Sequence, residues 1–249
     1  MQRNSSLLVC GFLFLSIAAF AWLGRQQAEN SSVGSDTGES GAAGLSLDKI
    51  LNQMDATAAN FRSAEANVVW EQYQKVVNDT DVQEGKVYFR HTGNEIQMMV
   101  DITKPAPKNV LYSDARVQVF EPKINRVTTY AAGKSRAEVE SFLVLGFGGG
   151  GHDLLKSFDV KLAGQENLNG VQTAKLEMVP KSARVRGMFE RVVMWVDPKM
   201  GVAVQQQFYQ PEGDYRLTKY SDIHLNQKLA DNTFKLKTDG KTKYVSPQG

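Results

Sequence analysis

From Leu45 onward the chain runs through one short apolar–polar alternation after another, with a single segment of sustained helical period in front. Side chains alternate faces every residue along a strand and repeat every 3.6 residues along a helix, so this pattern restricts the fold strongly. The stretch from Ile96 is the cleanest case. Ile96, Met98, Val100 and Ile102 share one face, and Gln97, Met99 and Asp101 share the other. Comparable runs occupy Val68 to Val77, Gly85 to Arg90, Val110 to Tyr112, Val117 to Phe120 and Arg126 to Tyr130. A second series occupies Phe158 to Ala163, Val171 to Val179, Met188 to Val196, Val202 to Tyr209 and Asp214 to Ile223. Turn chemistry separates them at Thr92-Gly93-Asn94, Ser113-Asp114, Pro122-Lys123, Asn169-Gly170 and Asp197 to Gly201. Leu229 to Leu236 reads as a short tail tucked onto the sheet edge.

The helix precedes the strands. Ser46 is placed to cap it, and Leu47, Ile50, Leu51, Met54, Ala58 and Phe61 form one apolar stripe. Between the two series of strands the alternation breaks. Ala137 to Leu145 suits a short helix, glycines follow at 146 and 148 to 151, and His152 to Phe158 suits another helical turn. Strands and helices do not alternate as βαβ units, which argues against a parallel sheet. The expected fold is mainly β (α+β). It is one strongly curved antiparallel sheet of about eleven strands, with an N-terminal helix and a short-helix insert; so long an open sheet curls because its strands twist.

Two segments precede this domain, which spans 45–249. Residues 1–24 combine a basic Arg3, an apolar run from Leu7 and a small-x-small pattern at Ala19-Phe20-Ala21, the organisation of an export signal. Leu7 to Gly24 is also just long enough to span a bilayer, so a signal peptide and an uncleaved membrane anchor are both open. The lone cysteine, Cys10, follows a large Val9 and precedes most of the apolar run, which disfavours a lipid-modified cysteine. Residues 25–44 are rich in Gly, Ser, Glu and Gln and read as a flexible linker. The domain contains no cysteine, which suits an exported protein held by its core instead of by disulfides. The expected location is the periplasm, with tethering to the inner membrane as the variant in which the anchor stays.

Catalytic patterns are missing where an enzyme would need them. Gly146-x-Gly148-x-x-Gly151 has dinucleotide spacing, but no strand leads into it and no βαβ unit surrounds it. The three histidines, His91, His152 and His224, do not show metal-ligand spacing, and no nucleophile elbow appears. The expectation is no enzyme activity, no cofactor and no metal. A net charge of +2 with dispersed Lys and Arg gives no reason to expect nucleic acid binding.

What remains is apolar surface. One helix cannot cover the inner face of so many strands, and methionines on strands suit adaptable apolar contacts. Trp70, Phe89, Met98, Val100 and Val119 on the strands, with Phe142, Leu143 and Leu145 on the insert, are the candidate ligand-binding residues. Gly146, Gly148, Gly149, Gly150 and Gly151 are the candidate hinge that lets the insert act as a lid. Such a cavity would take acyl chains, each buried CH₂ contributing about 0.8 kcal/mol.

Several short motifs, in this order, resemble the LolA-like carriers of outer-membrane lipoproteins over about residues 45–245. They are Val82-Gln83-Glu84-Gly85, Leu111-Tyr112-Ser113-Asp114, Val119-Phe120-Glu121-Pro122, and the closing Tyr220-Ser221-Asp222-Ile223-His224-Leu225-Asn226 with Leu229-Ala230-Asp231-Asn232-Thr233-Phe234. The resemblance implies a half-barrel enclosing a lidded cavity, with no cofactor and no hydrolysis. It implies acylated lipoproteins or lipids as cargo, an inner-membrane lipoprotein-releasing transporter as donor and an outer-membrane receptor as acceptor. It also implies that Arg90, near the end of the second strand, latches the lid. The long linker, the glycine run and His91 in place of the family's proline depart from the pattern. A regulatory sensor on the same fold, binding lipoproteins or a membrane partner without transport, is the alternative.

Overall fold

The computed structural model describes residues 45–93, 95–131, 140, 143 and 145–246. Segments 1–24 and 25–44, and Phe142, lie outside the described residues.

Helix α1, Leu47–Ala59, starts where Ser46 accepts a hydrogen bond from the Lys49 amide at 3.3 Å. Ile50, Leu51 and Met54 on its apolar stripe are all but fully buried. Six strands follow: β1 (Ser63–Gln74), β2 (Asp79–Thr92), β3 (Glu95–Lys104), β4 (Lys108–Ser113), β5 (Arg116–Glu121) and β6 (Arg126–Ala131). After the insert and helix α2 (Gly151–Ser157) come β7 (Phe158–Leu168) and β8 (Val171–Pro180). Helix α3 (Ala183–Arg186), β9 (Arg191–Asp197), β10 (Val202–Tyr209), β11 (Tyr215–Leu225) and β12 (Lys243–Val245) complete the chain.

All twelve strands form one curved, open sheet in the order β12-β6-β5-β4-β3-β2-β1-β11-β10-β9-β8-β7. Two antiparallel meanders, β1–β6 and β7–β11, are joined by the pairing of β1 with β11, from Ala64 opposite Leu225 to Tyr73 opposite Tyr215. The tight turn at Asn169-Gly170 has the expected left-handed backbone at both residues, φ +50° and +86°.

The expected strands are present, with four differences. β1 ends at Gln74, so Val76 and Val77, expected within it, lie exposed in the turn that follows. Met188 and Phe189 do not open β9; their amides bond to the Val185 carbonyl and finish the α3 turn, so the strand starts at Arg191. The tail is not on the edge. Its 3-10 turn, Asp231–Phe234, lies on a face of the sheet, where Phe234 packs with Met99 and Leu111. The edge is taken by β12, which pairs with β6 in parallel, Tyr244 opposite Val127.

The inner face carries the main core. Directly paired residues point to one side, so the register assigns the faces. Ala174, Leu176, Met178, Val192, Met194 and Val196 of β8 and β9 pack under Ile50, Leu51 and Met54 of α1.

Candidate functional site

The rest of the inner face lies over β2–β5 and over β1 and β11. Phe89 pairs with Met98, Val100 with Val110, and Val110 with Val119, so the expected strand residues share one face and are buried. Trp70 has the parity of the buried Val68 and faces the same way, but it stands opposite Gln83, far along the strand from Phe89. Leu143 and Leu145 of the insert are buried too.

The glycine run crosses this face. Leu145 joins the cluster under α1, and its carbonyl accepts a hydrogen bond from Gln206 Nε2. The Gly146 carbonyl accepts from the Ala203 amide at 2.9 Å. Phe147 is fully buried, stacked on Phe89 with ring centroids 5.4 Å apart and edge-on to Tyr220 at 4.8 Å. Phe147 is not among the residues expected from sequence to bind a ligand, although it is the one large side chain among the glycines. A lone aromatic flanked by residues without side chains is the signal that could have found it.

Glycine is required here by close approach. A Cβ on Gly146 would lie 2.5 Å from the Ala203 Cβ, and one on Gly151 would lie 2.3 Å from the Leu51 carbonyl oxygen. Gly148 faces the Phe61 ring in the same way, and Gly150 stands between Asp55 and Asp153.

The polar groups on the face are few. Tyr220 donates to Gln206 Oε1 at 3.3 Å, and burial pushes its phenol well above the usual range. Tyr112 donates to Glu140 Oε1 at 2.9 Å, tying β4 to the insert. Asp55 of α1 accepts from the His152 amide at 3.1 Å and pairs with the His152 ring, joining α1 to α2. Burial works to raise the Asp55 pKa, but the bonds from His152 outweigh it and leave the carboxyl below its ordinary value. Among the described residues, no group of three or more His, Cys, Asp or Glu side chains is placed to hold a metal ion. Among them also, no helix is long and apolar enough to cross a membrane.

Arg90 is not where the latch requires it. Adjacent residues of a strand face opposite sides, so with Phe89 inward Arg90 points outward. There it donates to Gln97 Oε1 at 2.7 and 3.1 Å and to Asp231 Oδ1 at 2.6 Å, and its guanidinium lies 4.4 Å over the Phe234 ring. It clamps the C-terminal segment to the outer face. A cavity of about 290 Å³ beside that segment, lined by Tyr88, Met99, Asp101, Asn109 and Lys235 among others, is polar and opens on the same outer side.

Residues 59–237 match the family model described as outer membrane lipoprotein carrier protein LolA. No curated protein matches the chain. Among solved structures, MucB is 12% identical with a TM-score of 0.50, the match covering 76% of this chain and 62% of MucB. The Pseudomonas aeruginosa MucA/MucB complex gives 13% identity and a TM-score of 0.47 over 76% of this chain and 60% of the other. This chain therefore spans about three fifths of the MucB chains, 60% and 62%. An uncharacterized conserved protein from Thermus thermophilus is 13% identical, with a TM-score of 0.50, over 80% of this chain and 98% of that one. Such identities show a shared fold alone.

Proposed function

This chain belongs to the LolA family of outer membrane lipoprotein carriers, and on that premise we propose that it carries acyl chains of lipoproteins or lipids between sheet and insert. The observation that carries the reading is the seat of Phe147. An apolar inner face built by Phe89, Met98, Val100 and Val119 is occupied by a side chain delivered on a glycine-flanked loop. Exposed apolar area is unfavourable, so an empty carrier gains by filling its own cavity. Cargo would replace Phe147, Leu143 and Leu145 on the face, and Phe142 of the same insert is proposed to contact it. The insert would swing on the glycine run, Gly146, Gly148, Gly149, Gly150 and Gly151, as the contacts of Gly146, Gly148 and Gly151 with Ala203, Phe61 and Leu51 part. Trp70 would meet cargo at the far end of the face. The driving force is burial, and release needs an acceptor with a better apolar site.

On this reading the protein works in the periplasm after export by its N-terminal segment. It would receive cargo from an inner-membrane lipoprotein-releasing transporter and pass it to an outer-membrane receptor. The chemistry needs no cofactor and no catalytic step. The test is native mass spectrometry of the protein purified from its own envelope, with lipid extraction of what co-purifies. Acylated protein or lipid bound at near one-to-one supports the carrier. An empty protein that takes up no acyl chain on titration rejects it and favours a sensor that recognises a protein partner.

A further inference from the structure

Arg216 is a feature of the inner face that acyl-chain burial leaves unexplained. It has the parity of Thr218 and Tyr220, both of which face inward, and it pairs with Gln72 on one side and Phe208 on the other. Its Nε donates to Gln72 Oε1 at 2.8 Å, and its guanidinium carbon lies 5.9 Å from the centre of the buried Phe189 ring. Among the described residues, neither Nη group has a hydrogen-bond partner and no carboxylate pairs with it. Arg90, Arg126 and Arg191 differ: each has a carboxylate, Asp231 at 2.6 Å, Glu121 at 2.8 Å and Glu177 at 3.9 Å.

A partly buried cation beside only neutral neighbours is unfavourable until something negative reaches it. Desolvation pulls the Arg216 pKa below its ordinary value, with no opposing charge among the described residues to offset it. The guanidinium fork fits a carboxylate or a phosphate through paired hydrogen bonds, and a guanidinium stays charged. The tail has a place as well. Arg216 lies four residues from Tyr220, about 13 Å along β11 at the usual strand rise, and Tyr220 touches Phe147.

Resting on the carrier reading, we infer that Arg216, oriented by Gln72, receives the anionic head of the cargo, a carboxylate or phosphate borne on an acyl chain. The chain then lies along the inner face toward the seat of Phe147. The site selects anionic amphiphiles over neutral ones, and the sheet supplies affinity for any tail.

The test titrates the full chain with a fluorescent fatty acid and with its methyl ester, which carries the same tail without the charge. Wild-type protein binds the acid about tenfold more tightly than the ester. Arg216→Met removes that preference and leaves ester binding unchanged, and Arg216→Lys keeps most of it. Arg216→Met also leaves the urea midpoint unchanged or raises it, because an uncompensated charge is removed. A large drop in the midpoint would show a structural arginine and overturn the inference. Calorimetry with inorganic phosphate alone separates the sources: saturable binding as tight as that of the acid means a free-anion site and also overturns it. Equal binding of acid and ester in both proteins overturns the inference but keeps the carrier. Failure of both probes to bind removes both.

Discussion

The inner face of β8 and β9 and the inner face of β2–β5 are made of the same residue classes but are covered in different ways. The first lies under α1, whose Ile50, Leu51 and Met54 interlock with Leu176, Met178, Val192 and Met194. The second meets the glycine-flanked Phe147, held by ring contacts to Phe89 and Tyr220. A capped helix with three interlocking side chains leaves the sheet only at a high opening free energy. A single side chain on a loop can leave at the lower free energy of a local opening. On the carrier reading proposed above, the half under α1 would support the sheet while the other half exchanges its covering.

Three measurements would break or sharpen this contrast. Met194→Ala removes a fully buried side chain beneath α1 and should destabilise the protein by about 3 kcal/mol in urea unfolding, without changing uptake of an acyl probe. Phe147→Ala removes a larger side chain yet should destabilise less, by about 2 kcal/mol, while raising probe uptake. Phe147→Ala costing as much as Met194→Ala, with no gain in uptake, would make the insert ordinary core and end the comparison. The smallest effect concerns the Asp55–His152 link between α1 and α2. A carboxyl held below its ordinary value of 3.8 adds stability above that pH, and the contribution disappears as the pH falls through its folded pKa. Asp55→Asn should therefore lower the urea midpoint slightly at neutral pH and converge on wild type in acid. The change is small because both side chains are more than a third exposed, 38% and 49%. A constant difference at every pH would mean that packing, not charge, joins the helices.

The Arg90 result shows how far alternation alone can reach. Phe89 and Arg90 are neighbours on a strand, so they cannot both face inward. Period two therefore contradicts a latch at Arg90 once Phe89 is taken as a lining residue, and the structure has Arg90 on Asp231 and Phe234 instead. Phe147 was legible in a weaker sense, as the single aromatic in a glycine run. Arg216 was not: its parity with Thr218 could be read, but the lack of a carboxylate nearby depends on which strands adjoin β11.

Sequence alone determined the elements whose causes are local. Period-two alternation set β1 to β11, the stripe from Leu47 to Met54 with its Ser46 cap set α1, and Asn169-Gly170 set its turn, because nearby sterics and hydrogen bonds act within a few residues. Only tertiary structure decided what joins distant parts of the chain. The β1–β11 pairing, the parallel β12 at the edge, Phe234 on the outer face, and the Gly146 and Gly151 contacts with Ala203 and Leu51 are of this kind. Such contacts depend on where curvature brings two surfaces together, and no short window of residues encodes that distance.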